Sequence, residues 1–301
     1  MRKNFLRWAS GLGFMAASAA TAQDTELELV GVPIEGGIGF QPAVTELARD
    51  LQWLDNMLLI IITVISVFVV VLLGICIVRY RRGRNPEPAS FTHNSPLEIA
   101  WTVGPIMILV FIAAFSLPVL FKQQEIPEGD INIKVTGYQW YWGYEYVDHE
   151  FGFESYMIGG PATGGDNRMT DEVAAQLEEA GYSRDEFLLA TDTAVIVPVD
   201  KVVVMQVTAA DVIHSWTIPS FGVKQDAVPG RLAQLWFEAD REGVYFGQCS
   251  ELCGLAHAYM PITVKVVSQE EYENWLVSAV GEYGGDPESL PEHLQLAAST
   301  N

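Results

Sequence analysis

The chain of 301 residues carries 17 Lys and Arg against 38 Asp and Glu, a formal net charge of −21, yet half of its residues are hydrophobic. That hydrophobicity excludes an intrinsically disordered chain, and the acidic balance argues against nucleic-acid binding, which requires a basic face. The two properties occupy different segments. Residues 1–122 hold nine basic and nine acidic residues, whereas residues 123–301 hold eight and twenty-nine. A membrane-like part therefore precedes an acidic domain large enough for one core.

A basic N-terminus precedes a short apolar stretch over residues 8–20, which ends in the small residues Ala20-Thr21-Ala22. This pattern is typical of a secretory signal peptide and predicts that residues 1–22 are removed by cleavage before Gln23. A retained amphipathic anchor is the alternative. Export would place the next segment, residues 23–54, outside the cytoplasm.

Two uncharged stretches, residues 57–78 and 99–121, are long enough to cross a bilayer. At 1.5 Å per residue each is roughly 33 Å long, against a hydrocarbon core of about 30 Å. They predict a transmembrane helical hairpin over residues 55–122. Because four arginines crowd the connection, the positive-inside rule predicts that residues 79–98 lie in the cytoplasm. Residues 123–301 then lie on the exported side.

Glu98 stands at the start of the second span, with Pro105 and Pro118 inside that span. The prolines should bend the helix, which indicates packing against other helices. The carboxylate is either an end marker that extends to the membrane surface or a proton acceptor that faces a neighbouring subunit. From the residues alone the end marker is favoured.

After residue 122 the pattern changes to short β-rich runs separated by Gly, Pro and Asp turns, which fits an antiparallel sandwich or barrel. The predicted strands are residues 131–136, 194–198, 201–208, 232–237, 244–247 and 262–267. The domain is predicted to span residues 123–280. An inserted excursion at about 156–187 contains a Gly-rich stretch and a short helix at 170–181.

A capping box, Ser268-Gln269-Glu270-Glu271, predicts the start of a last helix that ends near residue 280. The remaining tail, residues 281–301, is polar. We expect it to be loosely ordered, as chain termini commonly are.

A loop between two predicted strands carries Cys249, Cys253, His257 and Met260, and His214 ends another β-like run 35 residues before the first of them. A mononuclear blue-copper site takes two His, one Cys and a weak Met. This set has one thiolate too many for such an ion. Two thiolates can instead bridge two coppers, each with one terminal His, while the Met and a backbone carbonyl bind weakly along the axis.

Three other interpretations compete. A disulfide between Cys249 and Cys253 is possible in an exported domain, but it leaves His257 and Met260 unexplained. A tetrahedral zinc site would use two Cys and two His and again leaves the Met unexplained. A Cys-x-x-x-Cys copper chaperone would normally show a thioredoxin-like βαβ pattern, which this sequence lacks. Cys76 lies mid-membrane, where packing is the simplest interpretation.

Further motifs accompany this loop. They are Asp211-Val-Ile-His214-Ser-Trp, Gln139-Trp140-Tyr141-Trp142-Gly-Tyr144-Glu145-Tyr146, Lys224-Gln-Asp-Ala-Val-Pro-Gly-Arg231 and Phe91-Thr-His-Asn-Ser-Pro-Leu-Glu98. Together they make the chain resemble subunit II of bacterial aa3-type cytochrome c oxidases over roughly residues 40–275. The signal peptide favours a bacterial chain over a mitochondrially encoded one.

The resemblance implies a membrane-anchored, mainly-β protein, in which a two-helix transmembrane hairpin is followed by a cupredoxin-like Greek-key β-barrel. The barrel would hold a dinuclear copper A centre. Its implied ligands are His214, Cys249, Cys253, His257, Met260 and the backbone carbonyl of Glu251. The Glu251 side chain is similar to the family's ligand for a magnesium or manganese ion shared with subunit I.

The resemblance also implies roles outside the copper ligands. Glu98 matches the carboxylate at the mouth of the K proton pathway, which favours its functional interpretation over the end marker. Trp140, next to Tyr141, matches the position that receives electrons from cytochrome c. Lys224 and Arg231 flank a segment expected to face subunit I near the haem propionates. The acidic contacts for the donor would be Glu145, Glu154, Asp192 and Asp211.

The implied function is that of the electron-receiving subunit of a proton-translocating cytochrome-c oxidase. Its partners would be cytochrome c, the lipid membrane, other oxidase subunits and subunit I, which would carry haems a and a3 and copper B. The implied location is the bacterial inner membrane, with the N-terminus and the C-terminal domain in the periplasm. A quinol-oxidase subunit II lacks the copper ligands, nitrous-oxide reductase carries a similar loop on a soluble chain, and a copper-delivery protein is the non-enzyme alternative.

Overall fold

The computed structural model describes residues 27–87 and 89–298, so the predicted signal peptide lies outside the described residues. Two long helices come first, α1 (Glu46–Arg79) and α2 (Ser95–Gln124). Both are long and apolar enough to cross a membrane. The ammonium of Lys122, near the end of α2, lies 2.7 Å from Asp50 near the start of α1, so the two helices run in opposite directions.

Helix α1 begins nine residues before the predicted start of the hairpin at residue 55. The cause is a local capping interaction, because the hydroxyl of Thr45 accepts a hydrogen bond from the Ala48 backbone N–H at 2.9 Å. The extra turns carry Leu47 and Ala48, which are buried. The helix therefore starts against the soluble domain before it continues as an apolar span.

Eleven strands are found among the described residues. They are β1 (Leu29–Gly31), β2 (Ile131–Tyr138), β3 (Tyr141–Tyr146), β4 (Phe151–Ser155), β5 (Val195–Pro198), β6 (Val202–Ala209), β7 (His214–Ile218), β8 (Val223–Ala227), β9 (Ala233–Glu238), β10 (Gly243–Gln248) and β11 (Pro261–Val267). Three further helices are α3 (Asp171–Glu179), α4 (Gln269–Glu282) and α5 (Glu292–Ala298). Each of the six predicted strands is present, with bounds shifted by at most two residues.

The strands form a sheet in the order β4-β3-β2-β6-β9, a second sheet in the order β1-β10-β11-β5, and the pair β7-β8. Side chains alternate between the interior and the surface, as along β2, where every second residue is buried. The largest buried side chains are aromatic and include Trp142, Trp216, Tyr146, Tyr245 and Phe237. The predicted fold class, a helical hairpin followed by a cupredoxin-like barrel, is confirmed.

The excursion at residues 156–187 covers the outer face of the second sheet. Thr170 caps the helix α3, and Leu177 from that helix is buried with Tyr182 from the turn after it. Both pack in a small apolar cluster with Val244 and Phe246 of β10. The excursion therefore removes from water the side of the sheet that faces away from the main core.

The predicted capping box forms at Ser268, and α4 follows it. Beyond α4 the structure differs from the loosely ordered tail that we expected. Leu290 and Leu294 are buried and join the main core cluster. The hydroxyl of Ser289 lies 3.1 Å from Nδ1 of His149. These two leucines pack this part of the tail against the barrel.

Candidate metal centre

Three connections meet at one end of the barrel. They are the two-residue turn between β2 and β3, the segment that leads from β6 into His214 at the start of β7, and the loop between β10 and β11. A glycine permits this close approach: a Cβ on Gly247 in β10 would lie 1.8 Å from the Thr217 carbonyl oxygen of β7. The ladder between β10 and β11 then supports both ends of the intervening loop.

Two thiols lie at the centre of this loop. The sulfur atoms of Cys249 and Cys253 are 3.8 Å apart, whereas a disulfide bond is about 2.05 Å long. Both cysteines are free, and their exposed fractions are 6% and 3%. Because a metal–thiolate bond is about 2.3 Å long, one ion can bond to both sulfurs at once. The two thiols are therefore placed to share a metal ion.

The other predicted ligands surround the thiols. Nδ1 of His214 lies 3.9 Å from the Cys249 sulfur, and Nδ1 of His257 lies 3.6 Å from the Cys253 sulfur. The Met260 sulfur is 3.5 Å from Cys253. The backbone carbonyl oxygen of residue 251 is 3.3 Å from Cys249. Each imidazole thus directs a ring nitrogen toward a different thiol.

The donor set fits copper. His214, Cys249 and Cys253 can hold a metal ion, with their ligand atoms all within 4.8 Å of one another. Thiolate and thioether sulfurs with imidazole nitrogens favour copper. A zinc site of two Cys and two His would not require the Met260 sulfur, which is buried beside Cys253.

Two residues fix the orientation of the His214 ring. Its Nε2 lies 2.9 Å from Oδ1 of Asp211, which leaves Nδ1 facing the thiol. On the other side the ring packs on Gly137, where a Cβ would lie 2.8 Å from His214 Cδ2. His214 is fully buried, so a larger residue at position 137 would displace the ligand.

The ionisable groups of the centre influence one another. Burial alone would raise the pKa of Cys249, but the hydrogen bonds from His214, from nearby backbone groups and from His257 together outweigh burial and lower it to about 7. Burial and the neighbouring Cys249 raise the pKa of Cys253. Burial opposes charge on His214, yet Cys249 and Asp211 raise its pKa. One thiol therefore ionises more readily than the other, as expected for two like charges in contact.

Trp140 and Tyr141, predicted together, occupy different positions. The Trp140 indole Nε1 donates to the Cys253 carbonyl at 3.2 Å, so this half-buried ring links the surface to the loop. Tyr141 instead lies in an aromatic stack between Tyr138 and Tyr156, with ring centroids 4.8 and 4.6 Å away. Of these two side chains, Trp140 is the one that forms a hydrogen bond with the backbone of a predicted ligand residue, Cys253.

The four carboxylates predicted to dock a donor also differ. Glu145 and Glu154 are exposed on the outer face of the first sheet, where Glu145 pairs with Lys134 at 2.8 Å and Glu154 accepts from the Tyr156 hydroxyl. Asp192 accepts the backbone N–H of Tyr156 at 2.8 Å and therefore supports a turn. Asp211 supports the metal centre.

The remaining predicted carboxylates are those of Glu98, which is half-buried, and Glu251. Glu98 is in the first turn of α2, whereas strand β2 of the barrel follows the other end of that helix. Oε1 of Glu98 accepts a hydrogen bond from the Asn94 backbone N–H at 3.2 Å. Glu251 is exposed, so its carboxylate is free to face a partner while its carbonyl faces the thiols.

Sequence reasoning did not single out three contacts of the centre. Gln139 Nε2 donates to the Cys253 carbonyl at 2.8 Å. Trp142 Nε1 donates to the Met260 carbonyl at 3.2 Å. Gly137 provides room for His214. The aromatic motif contained two of these residues, but only the register of the β2–β3 hairpin shows that they point at the loop.

Comparison with known proteins decides the family. Residues 131–267 match the model of the cytochrome c oxidase subunit II periplasmic domain, and residues 33–119 match that of the subunit II transmembrane domain. The cytochrome c oxidase subunit 2 of Cereibacter sphaeroides is 68% identical over 269 residues, which cover 89% of each chain. The chain belongs to the cytochrome c oxidase subunit II family.

A crystal structure of the periplasmic domain of subunit II of cytochrome oxidase from Bradyrhizobium japonicum is also similar. It has 41% sequence identity and a TM-score of 0.42, and the match covers 52% of this chain and 99% of that one. Helix α1 lies within the residues that match the transmembrane-domain model, and α2 begins within them and ends five residues beyond them. The chain is therefore a membrane-anchored member of the family with a candidate copper site in its barrel.

Proposed function

We propose that this chain accepts electrons one at a time from reduced cytochrome c at a dinuclear copper A centre and passes them to haem a in subunit I. The observation that carries the proposal is the pair of unbridged thiols 3.8 Å apart, each facing its own imidazole. A copper pair bound there would supply a redox centre whose charge is spread over two metals.

The ligand residues would be His214, Cys249, Cys253, His257, Met260 and the carbonyl of Glu251. The cysteines would bridge, each histidine would bind one copper, and the last two would bind weakly. His214, Cys249, Cys253 and Met260 are buried, which keeps water away from these ligands. The β10–β11 ladder fixes both ends of the loop. Little movement is then needed when an electron arrives, which suits electron transfer better than substrate chemistry.

Trp140 would receive the electron, because its half-buried ring lies at the surface and its indole N–H bonds to the Cys253 carbonyl. Tyr141 would contribute to the aromatic surface beside it. The acidic domain would attract a basic donor and speed the encounter at low salt. Glu145 and Glu154 are the exposed carboxylates nearest along the sheet to this turn, and Asp192 and Asp211 are further candidates for contacts with the donor.

The remaining roles belong to the assembled oxidase. Subunit I would hold haems a and a3 and copper B, and oxygen reduction and proton pumping would occur there. The exposed carboxylate of Glu251 would bind a magnesium or manganese ion shared with subunit I, and Glu98 would stand at the mouth of the K pathway. The barrel and the N-terminus would lie in the periplasm, and residues 79–98 in the cytoplasm.

Stopped-flow oxidation of cytochrome c by the assembled oxidase tests the proposal. Cys249→Ser should abolish rapid oxidation of the donor, because a hydroxyl does not bridge copper as a thiolate does. Cys76→Ser is the matched control, since this cysteine lies in α1, and it should leave the rate unchanged. Rapid donor oxidation by Cys249→Ser would contradict the proposed electron path.

A further inference from the structure

Gln139 forms hydrogen bonds with two parts of the metal centre, the cysteine loop and the Asp211–His214 pair. Its side-chain Nε2 donates to the Cys253 carbonyl at 2.8 Å, and its backbone N–H donates to Oδ2 of Asp211 at 2.7 Å. The other oxygen of that carboxylate lies 2.9 Å from Nε2 of His214. A hydrogen-bonded chain therefore runs from the cysteine loop through Gln139 and Asp211 to a histidine on a different strand.

The Cys253 carbonyl receives a second donor, the Trp140 indole N–H at 3.2 Å. A carbonyl oxygen has two lone pairs, so Gln139 and Trp140 together saturate it. The residue that follows makes room for both. Gly254 has φ +123°, and a Cβ there would lie 3.1 Å from both Gln139 Nε2 and Trp140 Cζ2. Glycine at this position thus permits the two side chains to converge on one atom.

We propose that Gln139 is a positioning residue that fixes the Cys253 segment of the loop relative to His214 and Trp140. The inference rests on the proposed copper function, because Cys253 and His214 are proposed ligands. Groups that bond to metal ligands from outside commonly change metal affinity about 10–100-fold when they are lost. Gln139 is exposed as a residue, so its substitution should affect the centre more than the fold.

Copper affinity of the full-length chain in detergent, measured by competition with a chelator, tests the proposal. Gln139→Met keeps the side-chain length and removes the donor. We expect about a tenfold loss of copper affinity and a changed copper hyperfine pattern in the EPR spectrum. Gln269→Met is the matched control, because this exposed glutamine on α4 bonds to Glu273 at 2.8 Å, and it should match the wild type.

Two results would overturn the proposal, and a third would refute the function on which it rests. One is Gln139→Met with the affinity and EPR spectrum of Gln269→Met. Another is that Gln139→Met loses copper affinity and its copper-free chain also unfolds at a lower temperature than copper-free Gln269→Met. This result would show that Gln139 stabilises the fold rather than the centre. A wild-type chain that takes up no copper pair would instead refute the proposed function itself.

A double-mutant cycle that combines Gln139→Met with Trp140→Phe supplies the remaining test, because both side chains donate to the Cys253 carbonyl. Removal of both should lower copper affinity by more than the product of the two separate fold-changes, since the carbonyl then keeps neither protein donor. If the double variant equals that product, the donors act independently, and the shared-carbonyl basis of the proposal is wrong.

Discussion

Asp211 belongs to two features of the molecule, the acidic surface and the metal centre. Its carboxylate accepts hydrogen bonds from the backbone N–H groups of Gln139 and Val212, and it lies within bonding distance of His214. Burial would raise its pKa, but these hydrogen bonds outweigh burial and lower it. A residue bonded in this way cannot be treated as a simple docking charge.

Neutralising Asp211 should therefore have two effects. Asp211→Asn should weaken cytochrome c binding and flatten its dependence on ionic strength, and it should also alter the copper EPR spectrum, because an amide cannot accept at both former oxygens. Glu145→Gln, on the exposed face, should change binding and its salt dependence only. The measurements are KM across a salt series and the EPR spectrum. An unaltered spectrum in Asp211→Asn would show that its bond to His214 does not affect the centre.

Met260 allows the weak ligand to be tested apart from the bridging ones. It is 1% exposed, and leucine has a similar volume, so Met260→Leu should keep the fold. We expect this variant to retain two coppers with a changed electron distribution, whereas Cys253→Ser should lose the pair. Metal analysis with EPR separates the cases, and two coppers with an intact shared-electron spectrum in Cys253→Ser would refute the bridging role.

At the scale of elements, the start of α2 combines a structural and a proposed functional role. Asn94 accepts the Leu97 backbone N–H at 3.2 Å, and Glu98 accepts the Asn94 backbone N–H at 3.2 Å. This reciprocal arrangement stabilises a helix start by about 1 kcal/mol. The cap needs only an oxygen acceptor, whereas a proton path needs a group that can titrate.

Two variants separate these roles. Glu98→Gln keeps the acceptor and removes the titratable group, so oxygen turnover should fall while reduction of the copper centre by cytochrome c stays fast. Glu98→Ala also removes the cap, so it should lower assembly as well. Stopped-flow reduction and steady-state oxygen consumption are the measurements. Equal slowing of both steps in Glu98→Gln would count against a proton role.

The strands and helices differ in how well the sequence predicts them. Alternating apolar runs and the capping box at Ser268 identified six strands and the helix α4, because period and caps are local signals. The strands β1, β3, β4, β7 and β8 were not predicted as elements. Their aromatic, glycine-containing and mixed residues give no clear alternation, and tertiary packing decides their conformation. Leu290 and Leu294 likewise stand in a tail whose residues are mostly polar.

The ligand set was predictable because residue type and spacing within one loop limit the possible chemistry. The supporting contacts were not, because they depend on which residues of distant strands meet. Gly137 faces His214, and Gln139 meets Cys253, only through the pairing of β2 with β3 and β6. No local pattern in the sequence encodes that pairing.

At the scale of the whole molecule, charge and hydropathy divide the chain into a membrane part and an acidic domain. The four arginines between the spans and the acidic barrel should lie on opposite sides of the membrane. Single cysteines in spheroplasts test this topology. Gly83→Cys, where a Cβ has open space, should resist an impermeant thiol reagent, whereas Ala162→Cys in the exposed excursion should react. The reverse pattern would overturn the proposed orientation.

The central claim is that two coppers share one electron in the barrel of this chain. The most direct measurement is the EPR spectrum of the copper-loaded full chain, recorded together with the number of coppers per chain. We expect two coppers and a hyperfine pattern in which the unpaired electron is spread over both nuclei. One copper with the spectrum of a single nucleus, or two coppers without an EPR signal in the partly oxidised protein, would contradict the claim.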